Sequence, residues 1–165
     1  MKALAINGSP RKGGNTEILL NRCLDVLKDG GVQTELMQVG GSNIRGCTAC
    51  EYCHKNKTEH CVIRDDCFHD IFAKMREADI IVTGSPVYFG SAVPELMALL
   101  DRAGYVGRPH FMFRRKIGGP VAVARRAGQN FTYAQQMHWF MINEFIVPGS
   151  SYWNVATARE IGAVE

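Results

Sequence analysis

Residues 2–16 read KALAINGSPRKGGNT, and the rest of the chain falls into place around them. The first six form a short, mostly apolar run that breaks off abruptly into a polar, glycine-rich loop. Asn15 or Thr16 is then placed to cap a helix reaching about Asp29, with Ile18, Leu19, Cys23, Val26 and Leu27 on one face. Gly30 and Gly31 stop that helix. A second strand is expected over 33–39, and a helix over 65–77 carries Phe68, Ile71, Phe72 and Met75 at helical spacing. The run DIIVT at 79–83 suits a strand buried on both faces. A helix follows over 92–103 with Pro94 in its first turn, where proline is tolerated. Then come a strand over 118–124, a helix over 133–144, and a fifth strand over 145–152 whose Pro148 suits a sheet edge. Alternating strands and helices with short connections give an α/β fold: an open five-stranded parallel sheet with helices on both faces.

The composition sets limits on this picture. The chain has 165 residues, which suits one domain spanning 1–165 with a cysteine-rich insertion at about 45–67. Its 46% hydrophobic content excludes a disordered tail protein. Nineteen basic and sixteen acidic side chains leave a formal charge of +3, too little to argue for a nucleic-acid partner. No apolar run approaches the roughly 18 residues of a membrane helix, and the amino terminus reads as strand and loop, not as a signal peptide. A cytoplasmic protein without membrane or nucleic-acid partners is expected. About a dozen residues follow the fifth strand, so the α/β unit is expected to lack its C-terminal helix. That shortfall would leave an apolar face exposed on strand five and helix one, which favours a homodimer or homotetramer.

In an open parallel sheet, ligands bind beyond the carboxyl ends of the strands. The loops after strands one, three and four all emerge there. In the first, Ser9, Asn15 and Thr16 offer short polar side chains, Gly14 and its fellow glycines admit close backbone approach, and Arg11 supplies charge. With the positive end of a helix behind them, these residues suit a phosphate monoester. The loop is neither a Walker P-loop nor a G-x-G-x-x-G dinucleotide turn. The second loop sets Pro86, Val87, Tyr88, Phe89 and Gly90 between a buried strand and a helix, and its aromatic residues suit a flat apolar ring. The third combines Arg125, Arg126, Gly128 and Gln129, donors suited to an electron-rich ring edge. A phosphate at one end and a planar heterocycle at the other describe a mononucleotide, and flavin fits best.

Four of the six cysteines lie close together as Cys47-x2-Cys50-x2-Cys53-x7-Cys61, and because the segment follows strand two it is expected at the ligand edge as well. The C-x2-C-x2-C spacing lets adjacent thiolates converge, and a fourth thiolate completes the ligand set of a [4Fe–4S] cluster. A zinc site, which more often pairs two knuckles across a longer spacer, and free thiols or a reversible disulfide remain alternatives. Cys23 reads as a core residue, and Cys67 as a buried thiol or a spare ligand.

The three motifs GSPRKGGNT, SPVYFGSAVPELMALLDR and VAVARRAGQN together resemble the NADPH-dependent FMN reductase family of the flavodoxin-like superfamily, and the cysteine segment resembles that of its iron–sulfur flavoprotein branch. The resemblance covers about residues 2–160. It implies strand order 2-1-3-4-5, bound FMN, and electron transfer from a reduced nicotinamide, NAD(P)H, to a flavin, a quinone or another small-molecule or protein acceptor. By motif match, Ser9, Arg11, Asn15 and Thr16 would hold the FMN phosphate. Pro86, Val87, Tyr88, Phe89 and Gly90 would meet the ring, with Arg125 and Gly128 near its polar edge. Cys47, Cys50, Cys53 and Cys61 would hold the cluster. The alternative within the resemblance is an electron carrier fed by ferredoxin. No side chain is required as a catalytic acid or base, because the flavin carries the chemistry.

Overall fold

The computed structural model describes residues 1–164. Its elements run β1 (Lys2–Asn7), α1 (Asn15–Asp29), β2 (Gln33–Gln38), α2 (Tyr52–Lys55), α3 (Phe68–Glu77), β3 (Ile80–Pro86), α4 (Pro94–Gly107), a 3-10 turn (Arg108–His110), β4 (Ile117–Ala124), α5 (Gln129–Ile142) and β5 (Val155–Thr157). The five strands form one parallel sheet in the order β2-β1-β3-β4-β5, as expected. β1 sits between β2 and β3, with Ala5 opposite both Leu36 and Val82. The chain therefore reverses direction across the sheet beside β1, and the loops after β1 and β3 leave from neighbouring strand ends.

Alternation along each strand sends side chains to two cores. Leu4, Ile6 and Ile81 face α3, α4 and α5, whereas Ala3, Ala5, Ile80, Val82, Val121 and Val123 face α1. The first core holds Phe68, Phe72, Phe113, Trp139 and Phe140. Burying one such side chain contributes about 1.5–3 kcal/mol, so this aromatic layer dominates the packing. Trp139 also donates its indole N–H to Leu100 O at 2.7 Å, tying α5 to α4. On the α1 side, Leu20 and Leu24 are buried and Ile18, Leu19, Cys23 and Leu27 pack around them. Val26, expected on that face, is 72% exposed. At about 100° per residue, Val26 projects roughly 120° round α1 from the buried Leu20, at the rim of the apolar face rather than at its centre.

Three further local expectations are corrected. Gly14, not Asn15 or Thr16, occupies the cap position of α1, and it offers no side-chain hydrogen bond. The short helix α2 was not expected. The fifth strand does not occupy 145–152: Ile146 makes a single parallel bridge to Ile117, Phe145 turns into the aromatic core, and the paired strand is Val155–Thr157. Pro148 has no N–H to give to a ladder, so the chain leaves the edge of β4 there and rejoins it later. No helix follows β5 among the described residues. Between α1 and β3–β5 lies an apolar groove of about 410 Å³, lined by Leu19, Cys23, Leu27, Val82, Val121 and Trp153 among others.

Leu96 is fully buried between α4 and the sheet, and Val26 is not. Leu96→Ala is expected to cost about 2–5 kcal/mol in urea unfolding, and Val26→Ala less than about 0.5 kcal/mol. Comparable losses from both would show the packed face of α1 to be wrongly assigned.

Candidate functional site

The loop after β1 is built on a buried amide. Asn7 is inaccessible to solvent; its Oδ1 accepts the Ser9 N–H at 3.0 Å, and its Nδ2 donates to Gln38 Oε1 at 2.8 Å. Gln38 in turn donates to the Ser9 and Gly40 carbonyls, so one pair of amides fixes the ends of β1 and β2 together. Contact between the two loops is so close that a Cβ on Gly40 would overlap the Gly8 carbonyl oxygen. Within the loop, Ser9 Oγ accepts the Arg11 N–H at 3.2 Å, and Glu17 accepts the Gly13 N–H at 2.8 Å. Ser9 and Thr16 are buried and Arg11 is exposed. With no side chain capping α1, its first-turn N–H groups are available to an anion.

The loop after β3 is bolted down by Ser85, whose Oγ accepts the Val93 N–H at 3.0 Å, and by Gln135, which accepts the Ala92 N–H at 2.9 Å. Tyr88 and Ser91 exchange backbone hydrogen bonds of 2.9 and 3.1 Å. Between them Phe89 (φ 51°) and Gly90 (φ 83°) form a two-residue turn with both residues left-handed. Phe89, which is not a glycine, is held in that conformation with its ring fully in solvent. Gly128, at φ 94°, lies against Val87 and Gly90, and a Cβ there would meet Val87 Cγ1 at 2.9 Å. Ser9, Arg11, Gly14, Asn15, Thr16, Pro86, Val87, Tyr88 and Arg125 all line a single pocket of about 170 Å³. Phe89, Gly90 and Gly128 do not line it, although Gly90 and Gly128 touch each other beside Val87.

One wall of this pocket was not foreseen. Ala158, Arg159 and Ile161 complete it, because the segment after β5 crosses toward α1. There the Asn15 side chain accepts the Gly162 N–H and donates to Glu160 O, both at 2.8 Å. Asn15, expected to hold phosphate, is thus also the latch for this segment. The sequence after Thr157 has no motif that signals this.

The cysteine segment leaves the ligand edge. It starts there, with Gly41 against Pro10, and then runs along α4. Ser42 and Ile44 lie near Pro94, whereas Cys53 reaches Tyr105, its thiol 3.9 Å from that carbonyl oxygen. Tyr105 stands roughly 16 Å further along the helix, at 1.5 Å per residue. The insertion therefore does not stay at the strand ends, as its place after β2 had suggested.

Cys47, Cys50, Cys53 and Cys61 line one small crevice with Tyr105, Val106 and Arg102. No cysteine is in a disulfide. Among the described residues no three Cys, His, Asp or Glu side chains stand in metal-ligating geometry. The donor set itself fits a cationic group. Burial pushes the Cys53 thiol pKa up, and the neighbouring Cys61 and Cys47 add to this against two lowering backbone hydrogen bonds. As neutral thiols the four need no partner; ionised together, they would need a cation among them. Cys67 lies outside the crevice, 3.4 Å from Ser42 Oγ.

These features, a 2-1-3-4-5 sheet with a phosphate-type loop and an aromatic loop at one edge, are those of a flavodoxin-like flavin protein. The family model described as NADPH-dependent FMN reductase matches residues 1–160, and the chain belongs to that family. It is similar to an iron–sulfur flavoprotein of Methanocaldococcus jannaschii, 39% identical over 153 residues, covering 92% of this chain and 77% of the relative. It is also similar to an iron–sulfur flavoprotein of Methanosarcina thermophila, 35% identical over 170 residues and covering 98% and 87%. Among solved structures, RosB with a bound formylated riboflavin phosphate superposes with a TM-score of 0.71 at 20% identity, over 96% of this chain and 66% of that one. The chain is an FMN-binding flavoprotein oxidoreductase. No helix among the described residues is long and apolar enough to cross a membrane.

Asp66 anchors the far end of the cysteine segment. Burial alone would raise its pKa, but hydrogen bonds from Arg102 and from the Arg45 and Phe68 N–H groups hold it below the usual carboxylate value. A depressed carboxylate pKa contributes stability that is present above the unfolded value, near 3.9, and is lost as pH falls through the folded value. Thermal unfolding followed from pH 7 down to pH 2 is expected to show this acid loss in the wild type and less of it in Asp66→Asn. Parallel curves would remove Asp66 from the acid response.

Proposed function

We propose that this chain takes electrons from a reduced nicotinamide, NADH or NADPH, and passes them to a small-molecule or protein acceptor. FMN would lie across the three loops at the sheet edge, and Cys47, Cys50, Cys53 and Cys61 would hold a [4Fe–4S] cluster. The observation that supports the flavin site is the single pocket into which residues from loops more than a hundred positions apart converge. When bound, FMN supplies two-electron redox chemistry and the cluster single-electron relay.

The chain's own residues bind and orient. The first-turn N–H groups of α1, the Ser9 and Thr16 hydroxyls and Arg11 would receive the phosphate. The pocket of about 170 Å³ is smaller than the roughly 300 Å³ at which ligand sites begin. It therefore suits the phosphate end, and the ring would extend onto the open surface of the Tyr88–Gly90 turn. There Val87 and Tyr88 would flank the ring, with Arg125 and the Gly128 backbone at its polar edge. Arg126 and Arg159, exposed nearby, would favour the phosphates of an approaching nicotinamide.

A second reading, an electron carrier fed by ferredoxin, draws support from Cys47 and Cys50. Both are exposed, so a protein partner can approach that corner of the crevice. Protein purified without oxygen separates the two readings. Flavin absorbance that bleaches rapidly on NADH or NADPH addition is the expected result, and no bleaching with either nucleotide overturns the nicotinamide reading in favour of the carrier. Arg11→Ala with Thr16→Ala is expected to weaken FMN binding about tenfold or more, the equivalent of one lost charge-assisted hydrogen bond. Unchanged FMN retention in a correctly folded double variant would remove the phosphate from this loop.

A further inference from the structure

We propose that Arg102 is a positioning residue for the cysteine crevice: it clamps both ends of the cysteine segment to α4, and its Nε–H donates to the sulfur set held there. The inference rests on the reading of Cys47, Cys50, Cys53 and Cys61 as cluster ligands.

Arg102 lies in a stretch of α4 whose neighbours Leu99, Leu100, Ala103 and Val106 are all buried. It is itself buried, with no side-chain exposure, and the side chain of its partner Asp66 is 1% exposed. Nη1 donates to Asp66 and to Arg45 O at 3.1 Å. Nη2 donates to Ile63 O at 2.9 Å. Arg45 precedes the first cysteine, and Ile63 and Asp66 follow the last, so one side chain closes the segment from both ends. The His69 ring nitrogen lies 3.1 Å from both Cys61 O and Ile63 O, bracing the return arm from α3. The Phe68 ring lies 4.1 Å from the guanidinium carbon and offsets part of the cost of burying the charge.

Nε is the exception. It is buried and has no hydrogen-bond partner, although buried donors are almost always paired. Arg102 also lines the crevice into which the four cysteines face. A donor left over on a buried cation whose side chain shares a crevice with four cysteines matches what thiolates and sulfides accept. N–H donation to cluster sulfur favours the more reduced, more negative state and raises the reduction potential.

The test uses the full chain with FMN, loaded anaerobically with ferrous iron and sulfide. Arg102→Lys keeps the charge, but its three donors are consumed by Asp66, Arg45 O and Ile63 O, leaving none for sulfur. Arg102→Met with Asp66→Asn removes the buried pair together, so that neither charge is stranded and folding is preserved by a second route. Iron and sulfide content, the cluster midpoint potential and the alkylation rates of Cys53 and Cys61 in iron-free protein are measured. Both variants are expected to retain FMN and to show a lower midpoint potential than the wild type, and the double variant, which also loses the clamp, to alkylate several-fold faster. Folded variants that load fully at the wild-type potential and alkylation rate overturn the role of Arg102 while the cluster reading stands. A wild type that takes up no iron and sulfide overturns the cluster reading, and this inference with it.

Discussion

The side-chain amides of Asn7, fully buried, and Gln38, half-buried, hold together the two strand ends on which the ligand edge is built. Asn7 sits at the end of β1 and Gln38 at the end of β2, 2.8 Å apart. Between them they satisfy polar backbone groups of both following loops. Buried polar groups are costly when unpaired, so this pair admits one arrangement and disfavours the rest. The close approach at Gly8 and Gly40 depends on it, and so does the line along which the cysteine segment sets out.

From that edge the molecule divides its polar tasks between two places. At the strand ends, an uncapped helix start, small hydroxyl side chains and exposed arginines face a pocket. Along α4, a buried ion pair and a histidine hold a segment with little regular structure of its own. Between Gln38 and Phe68 only four residues are helical and none pairs in the sheet. Such a segment buries too little apolar surface to order itself. Its fixed conformation therefore comes from side-chain donors on the helices that flank it, and the left-handed Ala49 and Glu51 lie within the cysteine run.

The first loop could be read from sequence because strand, glycine loop and helix follow one another without a break, and each has a local physical signature. The central strands could be read for the same reason: Ile80–Val82 is apolar on both faces because both faces are covered. The fifth strand could not. Phe145, Ile146 and Val147 look like strand residues, but the aromatic core takes Phe145 and Pro148 interrupts pairing. Three residues much later, Val155–Thr157, complete the sheet with a pattern too short to stand out. Arg102 was passed over although its signal was present, an arginine within an otherwise apolar helical stripe.

By itself, the sequence determined the first four strands, the long helices between them, the phosphate-type and aromatic loops and the cysteine spacing, because strand and helix patterning and thiol spacing act over a few neighbouring residues. Tertiary structure decided that Val26 stays in solvent at the rim of α1, that Asn15 latches residues 160–162, and that the four cysteines lie along α4, with the first turn of that helix near the edge they had been expected to occupy. Each of these depends on partners tens of residues away, and no local pattern records which partner packing will select.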